Sequence, residues 1–382
     1  MSFRTKRSGV KNLGYIHVTK NLYVHEILRF ALDDKQKLET MKKLSLLLLL
    51  AGSLCLLHSC GSPAKQAEVE APKVVIAYVT SWSKVMPDPS LVTHINYAFG
   101  HVTDSFNGVR INNEERLRQI VALKEQAPHL KVLLSIGGWG SGRFSEMAAD
   151  EQNRLSFAKD CQRVVQEFGL DGIDLDWEYP TSSAANISSS PDDTDNFTLL
   201  VRDIRQAIGK EKLLTMASVA SAQFVDFRAI MNDLDFVNIM SYDMANAPKH
   251  HSTLYRASIS GRLTCDDAVK AHIDSGVPAE KLVLGMPFYG RGGKILSNRD
   301  YRKIDFNGEY TEQWNDTAKV PYLINKEGTL VLGYDNVRSL TIKCEYVLEK
   351  GLLGGMYWDY AGDNDNADLA RTVYKTIMKT SK

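Results

Sequence analysis

Eight short apolar runs, separated from one another by helical patterns or polar connections, constrain the fold of this chain more than any other feature. Most are near-continuous stretches of Val, Ile and Leu, which is typical of strands that are covered on both faces, as in a parallel sheet. The predicted strands are Val74–Val79, His94–Phe99, Val132–Ile136, Gly172–Trp177, Leu214–Val219, Phe236–Met240, Leu282–Pro287 and Leu353–Trp358.

Amphipathic helical patterns lie between most of these strands. The pattern over Glu151–Phe168 is followed directly by Gly169, a residue type that commonly ends a helix. The connection between the first two strands contains Pro87 and Pro89, so no full helix is predicted there. The other predicted helices are Asn113–Gln126, Asp195–Ile208, Phe224–Met231, Cys265–Asp274, Asn336–Lys350 and Asp365–Met378.

This alternation predicts a (β/α)8 barrel over residues 73–382, an α/β fold. A doubly wound open sheet is the alternative, but no Gly-rich phosphate loop follows the first strand. The alternation of strands and helices is interrupted at residues 292–334, between the seventh and eighth strands. Short alternating pieces there predict an abbreviated insertion subdomain of α+β type, and they are Tyr301–Phe306, Tyr322–Ile324 and Leu330–Leu332.

Composition excludes some functions. Lys and Arg number 46 and Asp and Glu number 46, so there is no electrostatic case for nucleic-acid binding. Cys161, Cys265 and Cys344 fall in helical patterns with no CxxC spacing, so we expect buried apolar groups rather than a disulfide framework or a zinc site. The His residues show no ligand spacing either, so neither a metal nor another cofactor is expected.

Residues 41–60 resemble a bacterial lipoprotein signal. A basic Met41-Lys42-Lys43 start precedes Leu44–Leu57, an apolar run too short for an ordinary membrane-spanning helix. The segment ends at Cys60, and the resemblance implies that this cysteine is lipid-modified and becomes the first mature residue. A plain secretory signal that is cleaved nearby is the alternative.

The rest of the N-terminal region is interpreted around that signal. Because a secretory signal begins a chain, residues 1–40 are interpreted as an over-extended start, with translation beginning at Met41; a cytoplasmic extension is the alternative. Residues 61–72 are predicted to be a tether. The expected location is the bacterial cell envelope, where Cys60 would anchor the protein to a membrane on its periplasmic or cell-surface face, as a monomer.

One predicted strand carries three carboxylates. Asp174, Asp176 and Glu178 alternate with apolar residues. Alternate side chains share one face of a strand, so the three carboxylates span about 13 Å of that face at roughly 3.3 Å per residue. Like charges on a buried face raise at least one pKa, and a carboxylic acid that stays protonated near neutral pH is a general acid. The alternative is that the three carboxylates lie on the solvent face of an edge strand. It is disfavoured because the surrounding segments have the apolar pattern of buried parallel strands.

Catalytic groups of such a barrel gather at the C-terminal ends of its strands. Here those ends are rich in acids, tyrosines and tryptophans. Aromatic faces stack on sugar rings and acids protonate glycosidic oxygens, so this set indicates a carbohydrate site. The residues are Tyr78, Trp82, Ser135, Trp139, Glu178, Tyr179, Met240, Tyr242, Asp243, Tyr289, Arg291 and Trp358.

These residues resemble glycoside hydrolase family 18, the chitinase family, over residues 73–380. The motifs that carry the resemblance are DxxDxDxE at 171–178, SxGG at 135–138 and MxYD at 240–243. The stretch from Trp314 to Tyr322 resembles the chitinase insertion domain. The insertion as a whole, residues 292–334, is short, which argues against a deep, walled groove.

The resemblance implies substrate-assisted hydrolysis of β-1,4-linked N-acetylglucosamine, in chitin or its oligosaccharides. Glu178 would protonate the leaving oxygen, and the substrate's own acetamide would attack the anomeric carbon to give an oxazolinium ion. Water activated by Glu178 would then open this ion with net retention. Asp176 would orient the acetamide, and Asp174 would share a proton with Asp176.

Further roles are implied for the residues around this series. Tyr242 would hydrogen-bond the acetamide, and Asp243 would orient the sugar. The ring of Trp358 would form the floor of the subsite on the cleaved side. Ser135 would support Asp174, and Asp171 would be either a supporting or a purely structural contact at the strand start. Substrate contacts are expected from Tyr78, Trp139, Met240, Tyr289 and Arg291.

Other functions stay open at this point. An endo-β-N-acetylglucosaminidase that acts on N-glycans would share the chemistry, but enzymes of that type usually lack the insertion. A non-catalytic glycan-binding lectin would be expected to have lost the acid, whereas Glu178 is present. A metal-dependent hydrolase is disfavoured because the strand ends carry no His.

Overall fold

The computed structural model describes residues 72–306 and 308–380. The predicted signal at 41–60 with Cys60 and the N-terminal stretch 1–40 lie outside these residues, as does the tether 61–72 apart from its last position.

Eight parallel strands close into a barrel, as the alternation predicts. The first strand pairs with the second through Ile76 and His94, and with the eighth through Val74 and Gly354, so the sheet has no open edge between them. The predicted ends differ from the observed ones by no more than three residues. The barrel strands are Val74–Thr80, His94–Val102, Lys131–Gly137, Gly172–Asp176, Leu213–Val219, Phe236–Met240, Leu282–Pro287 and Gly354–Trp358.

Helices follow most of the strands. Between the first two strands the chain forms only the 3₁₀ turn Pro89–Leu91, as the prolines predict. Phe144–Ala149 is a helix that the sequence did not predict, and the predicted helix at 224–231 is reduced to the single turn Phe227–Ile230. The remaining helices are Glu114–Ala122, Glu151–Phe168, Asp193–Ile208, Cys265–Asp274, Val337–Glu349 and Asp368–Ile377.

Side-chain alternation divides the core into two layers. Along the fourth strand, Ile173 and Leu175 belong to the larger cluster between the strands and the helices. Trp177, just beyond the strand, belongs to it too, and its ring stacks on Phe144 with the centroids 5.3 Å apart. Asp174 and Asp176 therefore point into the barrel, as the two-residue period predicts.

The insertion at 292–334 forms its own small sheet. Strands Thr311–Asn315, Val320–Ile324 and Leu330–Gly333 pair antiparallel, and the last two contain the predicted pieces. The predicted strand at 301–306 is wrong, because Tyr301–Lys303 is a 3₁₀ turn. Within the described part of the insertion, helical structure is limited to that turn. Backbone hydrogen bonds of 2.8 and 3.1 Å between Arg291 and Gly333 join the sheet to the segment that follows the seventh barrel strand.

The three cysteines of the barrel, Cys161, Cys265 and Cys344, are buried and free, which confirms the prediction that they pack as small apolar groups. None of the helices among the described residues is long and apolar enough to cross a membrane.

Candidate active site

Asp174 lies inside the barrel and is fully buried. Tyr78 Oη and Ser135 Oγ each donate to its Oδ2 at 2.8 Å. Thr215 Oγ1 and Asn238 Nδ2 donate to its Oδ1 at 2.6 and 3.1 Å. Burial raises the pKa of Asp174, and these donated hydrogen bonds oppose the rise. Four donors fill the acceptor positions of the carboxylate, so we infer that Asp174 is held in its ionised form.

Asp176 is the next inward-facing residue, and its surroundings favour the protonated form. Burial, the charge of Glu178 and the charge of Asp174 raise the pKa of Asp176 well above its usual value. Its Oδ1 is buried and has no hydrogen-bond partner among the described residues. A proton shared between Asp174 and Asp176 therefore resides mainly on Asp176, because Asp174 is already saturated with donors.

Glu178 lies two residues beyond the end of the fourth strand, where it is half-buried at the mouth of the barrel. Burial, together with the charge of Asp243, raises the pKa of Glu178 to about 7, although a hydrogen bond from Tyr179 acts in the opposite direction. A carboxyl group that titrates near neutral pH can both give and take a proton under ordinary conditions. Glu178 therefore has the properties of a general acid and base.

Asp243 is a further carboxylate of the cleft, and its charge acts on Glu178. Its Oδ1 accepts from Tyr289 Oη at 2.6 Å, and its Oδ2 lies 2.5 Å from Arg291 Nη1. The His251 ring contacts the same carboxylate, with Nδ1 3.3 Å from Oδ1. Although burial raises the pKa of Asp243, its contacts with His251, Tyr289 and Arg291 lower it to about 2. This carboxylate is anchored on both oxygens.

Aromatic rings form the walls of the cleft above the carboxylates. Trp358, at the end of the eighth strand, stacks on Phe99 with the ring centroids 5.6 Å apart and an interplanar angle of 19°. Trp82 and Trp139 are 66% and 64% exposed, so their ring faces remain available to a ligand. The cleft has a volume of about 1150 Å³, which suits a ligand larger than a single sugar.

The cleft brings together nearly all the residues that the sequence indicates. Ser135 lies below it, bonded to Asp174. The residues of the predicted set that line the cleft are Tyr78, Trp82, Trp139, Asp176, Glu178, Tyr179, Met240, Tyr242, Asp243, Tyr289, Arg291 and Trp358.

Asp171 is not part of this cleft, so the supporting role considered for it is wrong. It precedes the first residue of the fourth strand, at the opposite end from Glu178. Its carboxylate lies 2.7 Å from Lys124 Nζ and accepts from the backbone N–H of Val132 at 2.9 Å. Asp171 is a structural contact at the base of the barrel.

Sequence reasoning missed several members of the site, among them Thr215, Asn238, Phe99 and His251. Thr215 and Asn238 interrupt otherwise apolar strands at inward-facing positions, and that interruption is the signal that would have identified them. Phe99 carried no such signal, because a Phe at a strand end is also an ordinary core residue.

Gly137 and Gly138 allow neighbouring groups to approach closely at the end of the third strand. A Cβ on Gly137, whose φ is +134°, would lie 2.0 Å from the carbonyl oxygen of Asp176. A Cβ on Gly138 would meet the Phe99 ring at 2.6 Å. These contacts fix the backbone that carries Asp176.

The family described as "Glycosyl hydrolases family 18" matches residues 74–363, three quarters of the chain, including every carboxylate of the site. The chain belongs to glycoside hydrolase family 18. This membership agrees with the motifs at 135–138, 171–178 and 240–243 and with the closed barrel.

Two curated relatives show the extent of the similarity. Chitinase A1 of Niallia circulans is 32% identical over 79% of this chain and 58% of its own length. Chitotriosidase-1 of Mus musculus is 31% identical over 74% of this chain and 72% of its own. This glycoside hydrolase family 18 chain therefore spans little more than half of the bacterial relative.

A solved structure agrees over nearly the whole of its own length. The glycoside hydrolase family 18 N-acetylglucosaminidase from Paenibacillus barengoltzii matches with a TM-score of 0.74 and 34% identity, covering 80% of this chain and 99% of that chain. Among residues 72–306 and 308–380 of the present family member, no group of three His, Cys, Asp or Glu side chains is arranged to hold a metal ion.

The saturated contacts of Asp174 generate the first prediction. In Asp174→Asn, an amide N–H₂ would face two of the four donors, so we expect the free energy of unfolding to fall by about 1–3 kcal/mol. Denaturant unfolding measures this loss. Asp104→Asn, at a position with an 87% exposed side chain, is the control and is expected to change stability little. Equal stability of the two variants would contradict the ionised, donor-saturated state of Asp174.

Proposed function

We propose that this protein hydrolyses β-1,4-linked N-acetylglucosamine polymers, chitin or its oligosaccharides, with net retention. The observation that carries the proposal is the placement of Asp176 and Glu178, a buried inward-facing carboxyl group and a half-buried one at the mouth of the barrel, in a cleft lined by tryptophans. Burial raises the pKa of both groups, which suits them to carry a proton. The names of the two curated relatives support the same substrate class.

In the first step, Glu178 gives its proton to the glycosidic oxygen. The bond between that oxygen and the anomeric carbon breaks, while the carbonyl oxygen of the substrate's acetamide bonds to the anomeric carbon. Asp176 accepts the acetamide N–H at its unpartnered Oδ1 and thereby holds the carbonyl in line for attack. The positive charge of the oxazolinium ion is stabilised by the nearby carboxylates.

In the second step, the ionised Glu178 takes a proton from water. The water oxygen attacks the anomeric carbon, and the bond to the acetamide oxygen breaks. Tyr242 supports both steps as a donor to the acetamide, because burial first, and the neighbouring carboxylates second, raise its pKa and keep the phenol protonated.

The surrounding residues hold the sugar. Trp358 provides the apolar floor on the cleaved side, and Asp243, fixed by Tyr289 and Arg291, accepts hydrogen bonds from the sugar hydroxyls. Trp139 offers an exposed face for a second sugar ring.

The experiment that tests this function compares two substrates. We expect the protein to release short N-acetylglucosamine oligosaccharides from chitotetraose and chitohexaose and to leave a high-mannose glycoprotein intact, as a chromatographic product profile would show. Glu178→Gln is the matched variant, because it keeps the shape of the side chain while removing the proton. It is expected to lose nearly all turnover but still bind chitotetraose in calorimetry.

Two results would contradict the proposal. Release of free N-glycans with inert chitin oligosaccharides would identify the glycoprotein endoglycosidase instead. Substantial turnover by Glu178→Gln would remove Glu178 from the role of acid.

The pKa values predict the pH dependence of the reaction. Glu178 must be protonated in the free enzyme, so kcat/KM should fall about tenfold per pH unit above a midpoint near the pKa of about 7 given for Glu178. Asp243, with a pKa of about 2, stays ionised across the working range and should add no acidic limb near neutral pH. A pH–rate profile on chitotetraose measures this, and a flat profile up to pH 9 would contradict the assignment.

We also propose that Cys60 carries a lipid that anchors the protein to a membrane of the bacterial cell envelope. The support is the basic start at 41–43 and the short apolar run that ends at Cys60. Cys60→Ala is expected to move the protein from the membrane to the soluble fraction without loss of specific activity. Unchanged membrane fractionation would contradict the anchor.

A further inference from the structure

Tyr179 follows the proposed acid directly, and its side chain turns back onto that acid. Its Oη donates a hydrogen bond to Glu178 Oε2 at 3.0 Å. No role in the reaction as described above depends on this contact, although Tyr179 lines the same cleft.

The Tyr179 ring is packed so that its hydroxyl has little freedom to leave. It stacks on Phe224 with the centroids 5.4 Å apart and an interplanar angle of 13°. Its other neighbour is Trp139, whose ring meets it edge-on at 6.4 Å. Two aromatic contacts on a half-buried side chain favour one rotamer, and so they hold the donor at Glu178.

We propose that Tyr179 is a positioning residue that fixes the rotamer of Glu178 and stabilises its ionised form during the reaction. The inference rests on the proposed role of Glu178. The hydrogen bond favours proton delivery to the leaving oxygen, because it stabilises the carboxylate that remains once the proton has gone. It also makes Glu178 a weaker base for the attacking water in the second step.

The other titratable groups that interact with Glu178 act differently. Asp243, after the sixth strand, disfavours the ionisation of Glu178 by its charge. Asp176, two residues before Glu178, is itself driven toward the uncharged form by burial and by the charges of Glu178 and Asp174. Tyr242 is a further phenol in this cluster. Tyr179 itself stays protonated, because burial and the charge of Glu178 raise its pKa. Among these groups, it is the neighbour with a hydrogen bond to the Glu178 carboxylate.

The test is Tyr179→Phe, which keeps the ring and its stacking and removes only the hydroxyl. We expect the alkaline limb of kcat/KM on chitotetraose to move up by about one pH unit, since one hydrogen bond to a charged group is worth about that much. The limb moves to higher pH because the variant lacks a hydrogen bond that stabilises the Glu178 carboxylate, and the pKa of Glu178 therefore rises. Tyr255→Phe removes a hydroxyl from a tyrosine that packs on Tyr346, outside the cleft, and should leave the limb unmoved.

A second readout separates positioning from a general structural effect. On chitotetraose, whose sugar leaving group needs a proton, kcat of Tyr179→Phe should fall about threefold to tenfold because the acid is weaker. On a 4-nitrophenyl glycoside of chitobiose, whose leaving group departs without a proton, kcat should change less than twofold. Equal losses on both substrates, or an unmoved alkaline limb, would overturn the inference.

Thermal unfolding of each variant is measured alongside the kinetics. If Tyr179→Phe does not fold, Tyr179→Leu takes its place, with the same expected movement of the alkaline limb. Wild-type protein that is inactive on both substrates would contradict the proposed function itself. Active wild type together with an unmoved limb in the variant would contradict the role of Tyr179 alone.

Discussion

The site depends on four hydrogen bonds that converge on one buried carboxylate. The donors to Asp174 are Tyr78, Ser135, Thr215 and Asn238, which come from the first, third, fifth and sixth barrel strands. A charge inside a barrel is tolerated only when its acceptor positions are satisfied, and here the barrel supplies all the donors. With Asp174 held as an anion, the next acid in the series is driven toward the protonated form. The protonation states of the carboxylates therefore follow from the way the strands are joined.

The same barrel geometry explains which features could be predicted from the sequence. The two-residue period of a strand placed Asp174 and Asp176 on the inner face, and near-continuous apolar runs located all eight strands. The strand ends then identified most of the cleft. These predictions depend on local residue patterns alone. They therefore required no knowledge of which strands pair or of the register in which they pair.

Features that depend on tertiary contacts could not be predicted. Thr311–Asn315 lies outside the predicted pieces of the insertion, and it forms a strand by pairing with Val320–Ile324. The hydrogen bond from Tyr179 to Glu178 depends on a side-chain rotamer that Phe224 and Trp139 select. Asp171 belongs to the same motif as Glu178, but it lies at the other end of the strand, and its contacts with Lys124 and Val132 decide between the two roles considered for it.

The five tryptophans differ in exposure, so intrinsic tryptophan fluorescence can report binding at the cleft. Trp177 is buried in the outer core, whereas Trp82 and Trp139 stand in solvent at the cleft. A sugar ring that stacks on an exposed indole removes water from it and shifts its emission to shorter wavelength, while the buried indole keeps its spectrum as a constant background. Occupancy of the cleft can therefore be followed by intrinsic fluorescence in an unlabelled chain, separately from any bond that is cleaved.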